Sequence, residues 1–483
     1  MNPADADLLS LDEVVVLPRH ARLLSGDFAR RRRVLPFYQE QDCLWVATDQ
    51  PEDDAVRRAL ERVHPDPIHF TPAEPDSLSR ALERVYGGAA GRGGPVAPDD
   101  SVRLVDQLID DACLQLASDI HLEPGPDHIR IRFRVDGELE PAGEIPATAY
   151  PGVVGRVKML ARLDIAEKRI PQDGQITHKS GRNGRLTAIR VATLPTRHGE
   201  KITLRILGQH AAASRLDQLG MDPDTLGRFR RAIERPHGLV ALTGPTGSGK
   251  TTTMYAALRH LTDRGNDSLL TIEDPVECEL PGIIQVDVSG ERLDYPTALR
   301  SSLRHDPDVL LIGEIRDPES ADMAVRAALT GHLVLTTLHT RDAAGAITRL
   351  LDLGVERYLL GATLHCVAAQ RLVRKLCAAC RQPGTLQPRE ALALGLPADD
   401  IRPVHRPQGC PRCAGRGYTG RIALYEVFTL DDTALRLLAE TGSEETLRNH
   451  ARAQHQPTLR DAALQALANA QTSPEELLTV VGA

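Results

Sequence analysis

Aromatic residues make up only 3% of this 483-residue chain, with a single Trp, and that scarcity leaves few platforms on which nucleic-acid bases stack. A surplus of positive charge is missing too. The formal net charge is -8 and the sequence pI about 6.1, whereas a protein that neutralises many phosphates needs excess Lys and Arg. Together these absences argue against a nucleic-acid motor. No stretch of ~18 consecutive apolar residues occurs, so no transmembrane helix is expected. Met1 to Ser10 holds two aspartates and no basic flank ahead of an apolar run, so no signal peptide is expected and the cytoplasm is the predicted compartment. Cysteine is sparse, at eight residues, and in a reducing compartment these do not form a disulfide frame.

What is present is enough for packed cores, with 41% apolar residues, and the length divides into roughly three or four domains. Residues 1–86 alternate short apolar runs, Val14 to Leu17 and Leu44 to Ala47, with a helical stretch from Ser77 to Tyr86, which reads as a small α+β domain. Gly87 to Asp100 is rich in Gly, Ala and Pro and reads as a flexible linker, spanning on the order of 20 Å. A second α+β domain covers residues 101–208. It has a helical pattern to about Ala117, strand-like alternation at His128 to Val135, Leu186 to Thr193 and Lys201 to Leu207, and a turn at Asp136-Gly137.

From residue 209 to 376 the pattern becomes an α/β core. Continuous apolar strands at Leu239 to Thr243, Leu269 to Ile272, Val309 to Ile312 and Leu333 to Thr337 alternate with helices, which predicts a parallel sheet covered on both faces. Residues 377–425 hold two cysteine pairs. Residues 426–483 read as helical, with the last helix capped by Ser473, Pro474 at its first position and Glu476 reaching back.

Gly244-Pro245-Thr246-Gly247-Ser248-Gly249-Lys250-Thr251 fits GxxxxGK followed by Ser or Thr, after a strand and before a helix beginning near Lys250. Glycines let backbone N–H groups close around phosphates, and the helix N-terminus adds partial positive charge. Lys250 is expected to reach the β- and γ-phosphates of ATP and the Thr251 hydroxyl to ligate Mg²⁺, with Thr252 next along the helix. In an open parallel sheet, ligands bind beyond the carboxyl ends of the strands. Three strands end there in polar groups: Glu273-Asp274, Gly313-Glu314, and Leu338-His339. Gly313 stands where P-loop proteins place the Asp that holds Mg²⁺, so Glu314 is the nearest carboxylate to the metal. Glu273 then becomes the base that orients the attacking water, although spacing alone leaves the two roles exchangeable. His339 either senses the γ-phosphate or hydrogen-bonds a loop.

These residues resemble a known family. Thr271 to Glu277 looks like the acidic box of secretion and type IV pilus ATPases, Ile312 to Asp317 resembles their modified Walker B, and Gly331 to Thr340 is similar to their histidine box. Ser118 to Pro124 and Arg169 to Gly174 match the domain preceding the motor. The resemblance covers about residues 100–483 and is greatest to the assembly ATPases of bacterial type II secretion. It implies a hexameric RecA-like ATPase with nucleotide bound between the motor and its preceding domain, Glu273 as base, Glu314 at the metal and His339 near the γ-phosphate. It also implies arginine fingers at Arg190 and Arg205, on strands where residues alone suggest a solvated face. Two positions depart from the family: Arg341 replaces its usual Asn and Ser320 its usual Thr.

Cys377-x-x-Cys380 and Cys410-x-x-Cys413 stand 29 residues apart. Four thiolates in two knuckles suit a closed tetrahedral Zn²⁺ site, with a redox CxxC as the alternative. Cys43, Cys113, Cys278 and Cys366 stand alone and read as small apolar residues. Arg30 to Arg33 reads as a solvated helical face, or else as a contact for anionic lipid or an acidic partner. The family docks its first domain on an inner-membrane platform protein, so peripheral association at the cytoplasmic face of the inner membrane is expected.

Overall fold

The computed structural model describes residues 8–12, 14, 16, 20, 23–24, 26–40, 43–51, 54–61, 67–86, 98–179, 186–208, 215–265, 267–288, 293–410, 413, 415–440 and 443–480. The chain divides into two compact units. One comprises Met1–Gln209 with Cys377–Gln382 and Pro407–Thr419; the other comprises His210–Leu376 with Pro383–Arg406 and Gly420–Ala483. Most of the expected linker, residues 87–97, lies outside the described residues. Its last three residues open a helix instead, because Pro98 supplies a fixed φ suited to a first helical position.

The first unit starts with a three-stranded sheet of β1 (Val34–Glu40), β2 (Cys43–Thr48) and β3 (Ile68–Pro72). β1 and β2 are antiparallel, whereas β2 and β3 are parallel. Helices α1 (Gly26–Arg32), α2 (Asp54–Glu61) and α3 (Pro75–Tyr86) accompany it. The expected run Leu44 to Ala47 is the centre of β2, and Val14 is buried, while Val15 and Leu17 lie outside the described residues. The basic run ends α1. Arg33 pairs with Asp49 at 2.5 Å and Arg30 donates to the Tyr86 carbonyl at 2.8 Å, so these two arginines are anchored, while Arg31 and Arg32 face solvent.

Helix α4 (Pro98–Leu114) leads into a six-stranded antiparallel sheet with α5 (Tyr150–Leu160). Its strands are β4 (Asp119–Pro124), β5 (His128–Val135), β6 (Glu138–Pro146), β7 (Gln172–Lys179), β8 (Leu186–Thr196) and β9 (Gly199–Ile206), in the order β6-β5-β4-β9-β8-β7. Alternation sorts the faces. Ile129, Ile131, Phe133 and Val135 are buried with Val105, Ile109, Val153 and Val157 of the two helices, and the intervening Arg130, Arg132 and Arg134 lie on the other face. Asp136 and Gly137 turn the β5–β6 hairpin with φ of 50° and 93°, both positive as a type I′ turn requires.

The second unit is built on a larger sheet. After α6 (Pro223–Ile233) come β10 (Gly238–Thr243), α7 (Lys250–Thr262), β11 (Leu269–Glu273), β12 (Ile284–Asp287), α8 (Tyr295–Ser302) and β13 (Val309–Ile312). Then follow α9 (Pro318–Leu329), β14 (Leu333–Leu338), α10 (Ala343–Asp352), α11 (Arg357–Thr363) and β15 (Leu364–Leu376). A hairpin of β16 (Gln382–Thr385) and β17 (Pro403–Arg406) carries α12 (Pro388–Ala393) between its strands, and the chain returns as β18 (Tyr418–Thr429). The sheet order is β12-β11-β13-β14-β10-β15-β18. β10, β11, β13 and β14 are buried throughout, as expected of parallel strands covered on both faces. Leu239, Ile272, Ile312 and Val334 pack on one side with Ala321, Ala324 and Ile347, while Val240, Leu242, Leu311 and Leu335 pack on the other with Phe229, Met254 and Leu258.

The C-terminal helices are α13 (Asp432–Glu440), α14 (Glu444–Ala453), α15 (Leu459–Ala468) and α16 (Pro474–Val480). They start six residues later than the expected helical region, because residues 426–429 complete β18. Ala434, Leu447, Leu467 and Leu477 join the core on one face of the sheet. At α16, Ser473 Oγ accepts the Glu476 N–H at 3.3 Å as expected. The Glu476 carboxylate, however, binds Arg374 of β15, through the backbone N–H at 2.9 Å and Nε at 2.7 Å, because a buried carboxylate is best satisfied by a cation.

Candidate nucleotide site and tetracysteine cluster

β10 ends at Thr243 and α7 begins at Lys250, so the loop Gly244 to Thr251 lies between a buried strand and a helix N-terminus. Gly249 caps the helix from the left-handed region, at φ 86°, and a Cβ there would stand 2.9 Å from Gln370 Nε2. At Gly244 a Cβ would meet the Gln370 carbonyl at 2.5 Å. Pro245, Thr246 and Gly247 form the exposed tip, and Thr252 is half-buried on the first turn. Ser248 is buried, and its Oγ has no hydrogen-bond partner among the described residues. A buried hydroxyl of that kind is uncommon and marks a place for a polar ligand. Lys250 Nζ donates to the carbonyls of Gly244 at 2.7 Å and Pro245 at 3.1 Å. Burial, and then the charge of Arg371, pull its ammonium down to about 8.

β11 brings Glu273 to the same edge of the sheet, 5% exposed. Its Oε2 accepts from Tyr255 Oη at 2.5 Å, and its Oε1 accepts from Thr271 Oγ1 at 2.6 Å and Gln285 Nε2 at 3.2 Å. Three donors thus fix this carboxylate. Glu277 reaches Thr251 instead: the Thr251 hydroxyl donates to Glu277 Oε1 at 3.2 Å, and the Glu277 N–H donates to Tyr255 Oη at 3.3 Å. Tyr255 therefore ties the two glutamates together from the P-loop helix.

Gly313 stands where a metal-binding Asp was anticipated, and the surroundings leave that side chain no room. A Cβ would lie 2.7 Å from Tyr295 Oη and 3.1 Å from the Ile272 carbonyl. The next residue, Glu314, ion-pairs with Arg316 and lies 3.0 Å from His339 Nε2. Burial, then Lys250 and Arg316, hold the His339 pKa below the usual imidazole value, and its Nε2 lies within hydrogen-bonding distance of the Glu314 carboxylate. His339 thus contacts Glu314 and lies near Lys250. Of the two family departures, Ser320 is buried and donates to Asp317, the N-cap of α9, at 2.9 Å, and the Arg341 carbonyl accepts from Arg371 at 2.6 Å.

In the first unit, Arg190 of β8 and Arg205 of β9 stand directly opposite one another. Both are exposed on the charged face of the sheet, and Arg205 Nε pairs with Asp119 at 2.9 Å.

The four paired cysteines come together. Their sulfurs all lie within 4.8 Å of one another, with Cys377–Cys410 and Cys380–Cys413 at 3.8 Å and Cys410–Cys413 at 3.7 Å. Sulfurs on a tetrahedron with ~2.3 Å Zn–S bonds stand ~3.8 Å apart, so the donor set and its spacing suit zinc. The N–H groups of Cys410 and Gly417 both point at Cys413 Sγ, at 3.1 Å. Burial favours its neutral thiol, yet these N–H groups hold Cys413 below the ordinary thiol range. Cys366, by contrast, is fully buried among apolar residues and pushed up to about 12.

Sequence reasoning assigned no role to Glu277, Tyr255, Gln370 or Arg371. Two signals were available. Tyr255 falls on the P-loop helix within two turns of Lys250 and so can face the neighbouring acidic strand. Gln370-Arg371 interrupts the apolar run of β15 just past Ala369, the partner of Thr243, and so sits at the carboxyl edge where ligands bind.

The fold and this arrangement define a P-loop nucleoside triphosphatase with an α/β RecA-like core. A family model described as type II/IV secretion system protein matches residues 98–479, and a second, the MshEN domain, matches residues 4–92. The chain is 45% identical over 381 residues to the type II secretion system protein HxcR of Pseudomonas aeruginosa, spanning 78% of this chain and 77% of that one. It is 38% identical over 500 residues to the type IV pilus assembly ATPase PilB of Myxococcus xanthus, spanning 97% and 88%. Among solved structures, the pilus retraction motor PilT with bound ADP shares the fold, with a TM-score of 0.56 and 24% identity over 77% of this chain and 96% of that one. The chain belongs to the type II/IV secretion system protein family. Among its described residues, no helix is long and apolar enough to cross a membrane.

Proposed function

We propose that this chain is a hexameric ATPase at the cytoplasmic face of the inner membrane, which uses ATP hydrolysis to drive pseudopilus assembly and protein export by a type II secretion system. The observation that carries the reading is the convergence of Lys250, Thr251, Glu277, Glu314 and His339 at one sheet edge in a chain of this family. Residues Gly244 to Thr252 hold the nucleotide. Thr251 and Glu314 hold Mg²⁺, which when bound neutralises charge on the β- and γ-phosphates. Glu273 orients the attacking water, and His339 reads the γ-phosphate. Glu277 is the competing base, since it stands beside Thr251 while Glu273 is enclosed by three donors. Arg190 and Arg205 are the arginine fingers. Like charges directly opposite across a sheet are destabilising, which supports a role beyond the fold. Zn²⁺ fills the tetracysteine cluster as a structural ion.

The domain organisation follows the sequence boundaries, save that the C-terminal helices start at Asp432: 1–86 docks on an inner-membrane platform protein, 101–208 supplies the arginines, 209–376 is the motor and 377–425 carries zinc. Nucleic acid is no partner of this chain. E273Q should still bind ATP while turnover falls by ~10²-fold, the loss expected for a general base. Normal turnover in E273Q together with a comparable loss in E277Q transfers that role to Glu277.

A second reading, type IV pilus assembly, is supported by the pilus ATPase match that spans 97% of the chain, against 78% for the type II protein. A pull-down with residues 1–86 decides between them: recovery of a secretion-platform protein supports export, and recovery of a pilus-platform protein supports the alternative.

A further inference from the structure

One row of the charged sheet face runs Arg134, Asp119, Arg205, Arg190 across β5, β4, β9 and β8. Three arginines in line repel one another, and Asp119 is the anion set among them. Its side chain is only 8% exposed, whereas that of Arg205 is 61% exposed. Oδ1 accepts from Arg205 Nε at 2.9 Å, and Oδ2 accepts from Ser118 Oγ at 2.8 Å and lies 3.8 Å from Arg134 Nε. Holding a guanidinium by Nε fixes its plane and leaves the Nη1 and Nη2 edge for another oxyanion. Among the described residues, neither Nη group of Arg205 has a protein partner, and Arg190 has none at all.

We infer that Asp119 is a positioning residue for hydrolysis: it holds the Arg205 guanidinium in one orientation and offsets the repulsion of Arg134 and Arg190. This rests on the arginine-finger reading of Arg205. A buried carboxylate committed to an exposed arginine is a poor stabiliser of the fold, because the exposed partner keeps most of its hydration. Its use lies in orientation. An arginine free to sample its rotamers meets the transferred phosphoryl group in the right geometry only part of the time, and small misplacements weaken a transition-state contact strongly.

The test is a double-mutant cycle on the full chain, reading steady-state ATPase kinetics, binding of a fluorescent ATP analogue and the thermal midpoint. D119A should lower kcat by ~10-fold with KM and analogue binding within ~2-fold, and adding D119A to R205A should cost nothing further. D119N keeps an oxygen acceptor for Nε but no charge, so it should lose ~3-fold in kcat and also add nothing to R205A; it serves if D119A does not fold. Wild-type kcat in D119A, or losses that multiply with R205A in either variant, overturns the positioning role. Wild-type turnover in R205A itself overturns the arginine-finger reading, and this inference with it.

Discussion

At Gly313 the space for one methyl group decides where a carboxylate can stand at this sheet edge. The position faces Tyr295 Oη and the Ile272 carbonyl so closely that any Cβ displaces one of them. The nearest carboxylate therefore stands one residue on, at Glu314, which Arg316 and His339 hold. G313A should destabilise the protein by ~1–3 kcal/mol, as overpacking of a filled site does, and adding Y295F should recover part of that. Urea titration of the two variants checks it, and equal stability of G313A and wild type removes the steric explanation. Lys250 gives a second prediction at this scale. Its ammonium is lowered to about 8 in the protein without nucleotide. Phosphates favour the charged form, so the nucleotide complex has a higher pKa and binding takes up a proton above pH 8. Affinity for ATP should thus be flat below about pH 8 and then fall by up to ~10-fold per pH unit. Titrations with a fluorescent ATP analogue at pH 7 and pH 9 measure it, and equal affinities would exclude Lys250 as the titrating contact. The residue roles themselves were only partly legible in the sequence. The P-loop and strand-end acids follow a fixed spacing, but Tyr255 and Glu277 act through contacts that depend on how β11, its following loop and α7 pack.

Among the elements, β18 was not anticipated, since a helical region was expected from residue 426, and Glu426 lies within the strand. Here Oε1 accepts the Ala343 N–H at 3.2 Å and Oε2 accepts the Leu459 N–H at 3.1 Å. One side chain thus serves the first residues of both α10 and α15, where N–H groups lack intrahelical partners. The strand continues through it, and the helices expected from residue 426 start at Asp432. E426A leaves two amide groups unsatisfied and should lower stability by ~2 kcal/mol. Burial raises the pKa of Glu426. A raised folded-state pKa means that its contribution is fully present below the unfolded value and declines as pH rises through the folded one. The gap between wild type and E426A, measured by urea unfolding, should therefore be larger at pH 4.5 than at pH 7.5; a gap of the opposite trend would contradict the burial argument. By contrast β10, β11, β13 and β14 were legible as continuous apolar runs, whereas β12 and β15, which also pair in parallel, were not anticipated.

For the whole molecule the tetracysteine cluster poses the largest energetic question. Cys377–Gln382 and Pro407–Thr419 belong to the first compact unit, while the excursion Pro383–Arg406 belongs to the second. The cysteine spacing in the sequence indicated a metal, yet it gave no sign of this division, which depends on how the β16–β17 hairpin packs. An ion held by four sulfurs would close the 29-residue loop between Cys380 and Cys410, and structural zinc sites contribute on the order of 10 kcal/mol of binding energy to the folded state. Without the ion, four sulfur groups within 4.8 Å of one another remain in a largely buried site, with backbone N–H groups aimed at Cys413. Burial then favours neutral thiols at Cys380 and Cys410, and only Cys413, which receives the backbone N–H groups, is held below the ordinary thiol range. A mercurial that titrates the cysteines should release about one zinc per chain, read with a chromogenic chelator. C410S should bind no zinc and melt at a lower temperature, with its ATP affinity retained because the P-loop residues are untouched. Recovery of the wild-type protein without metal, with all four thiols reactive and the melting temperature unchanged, would show that the cluster holds no structural ion.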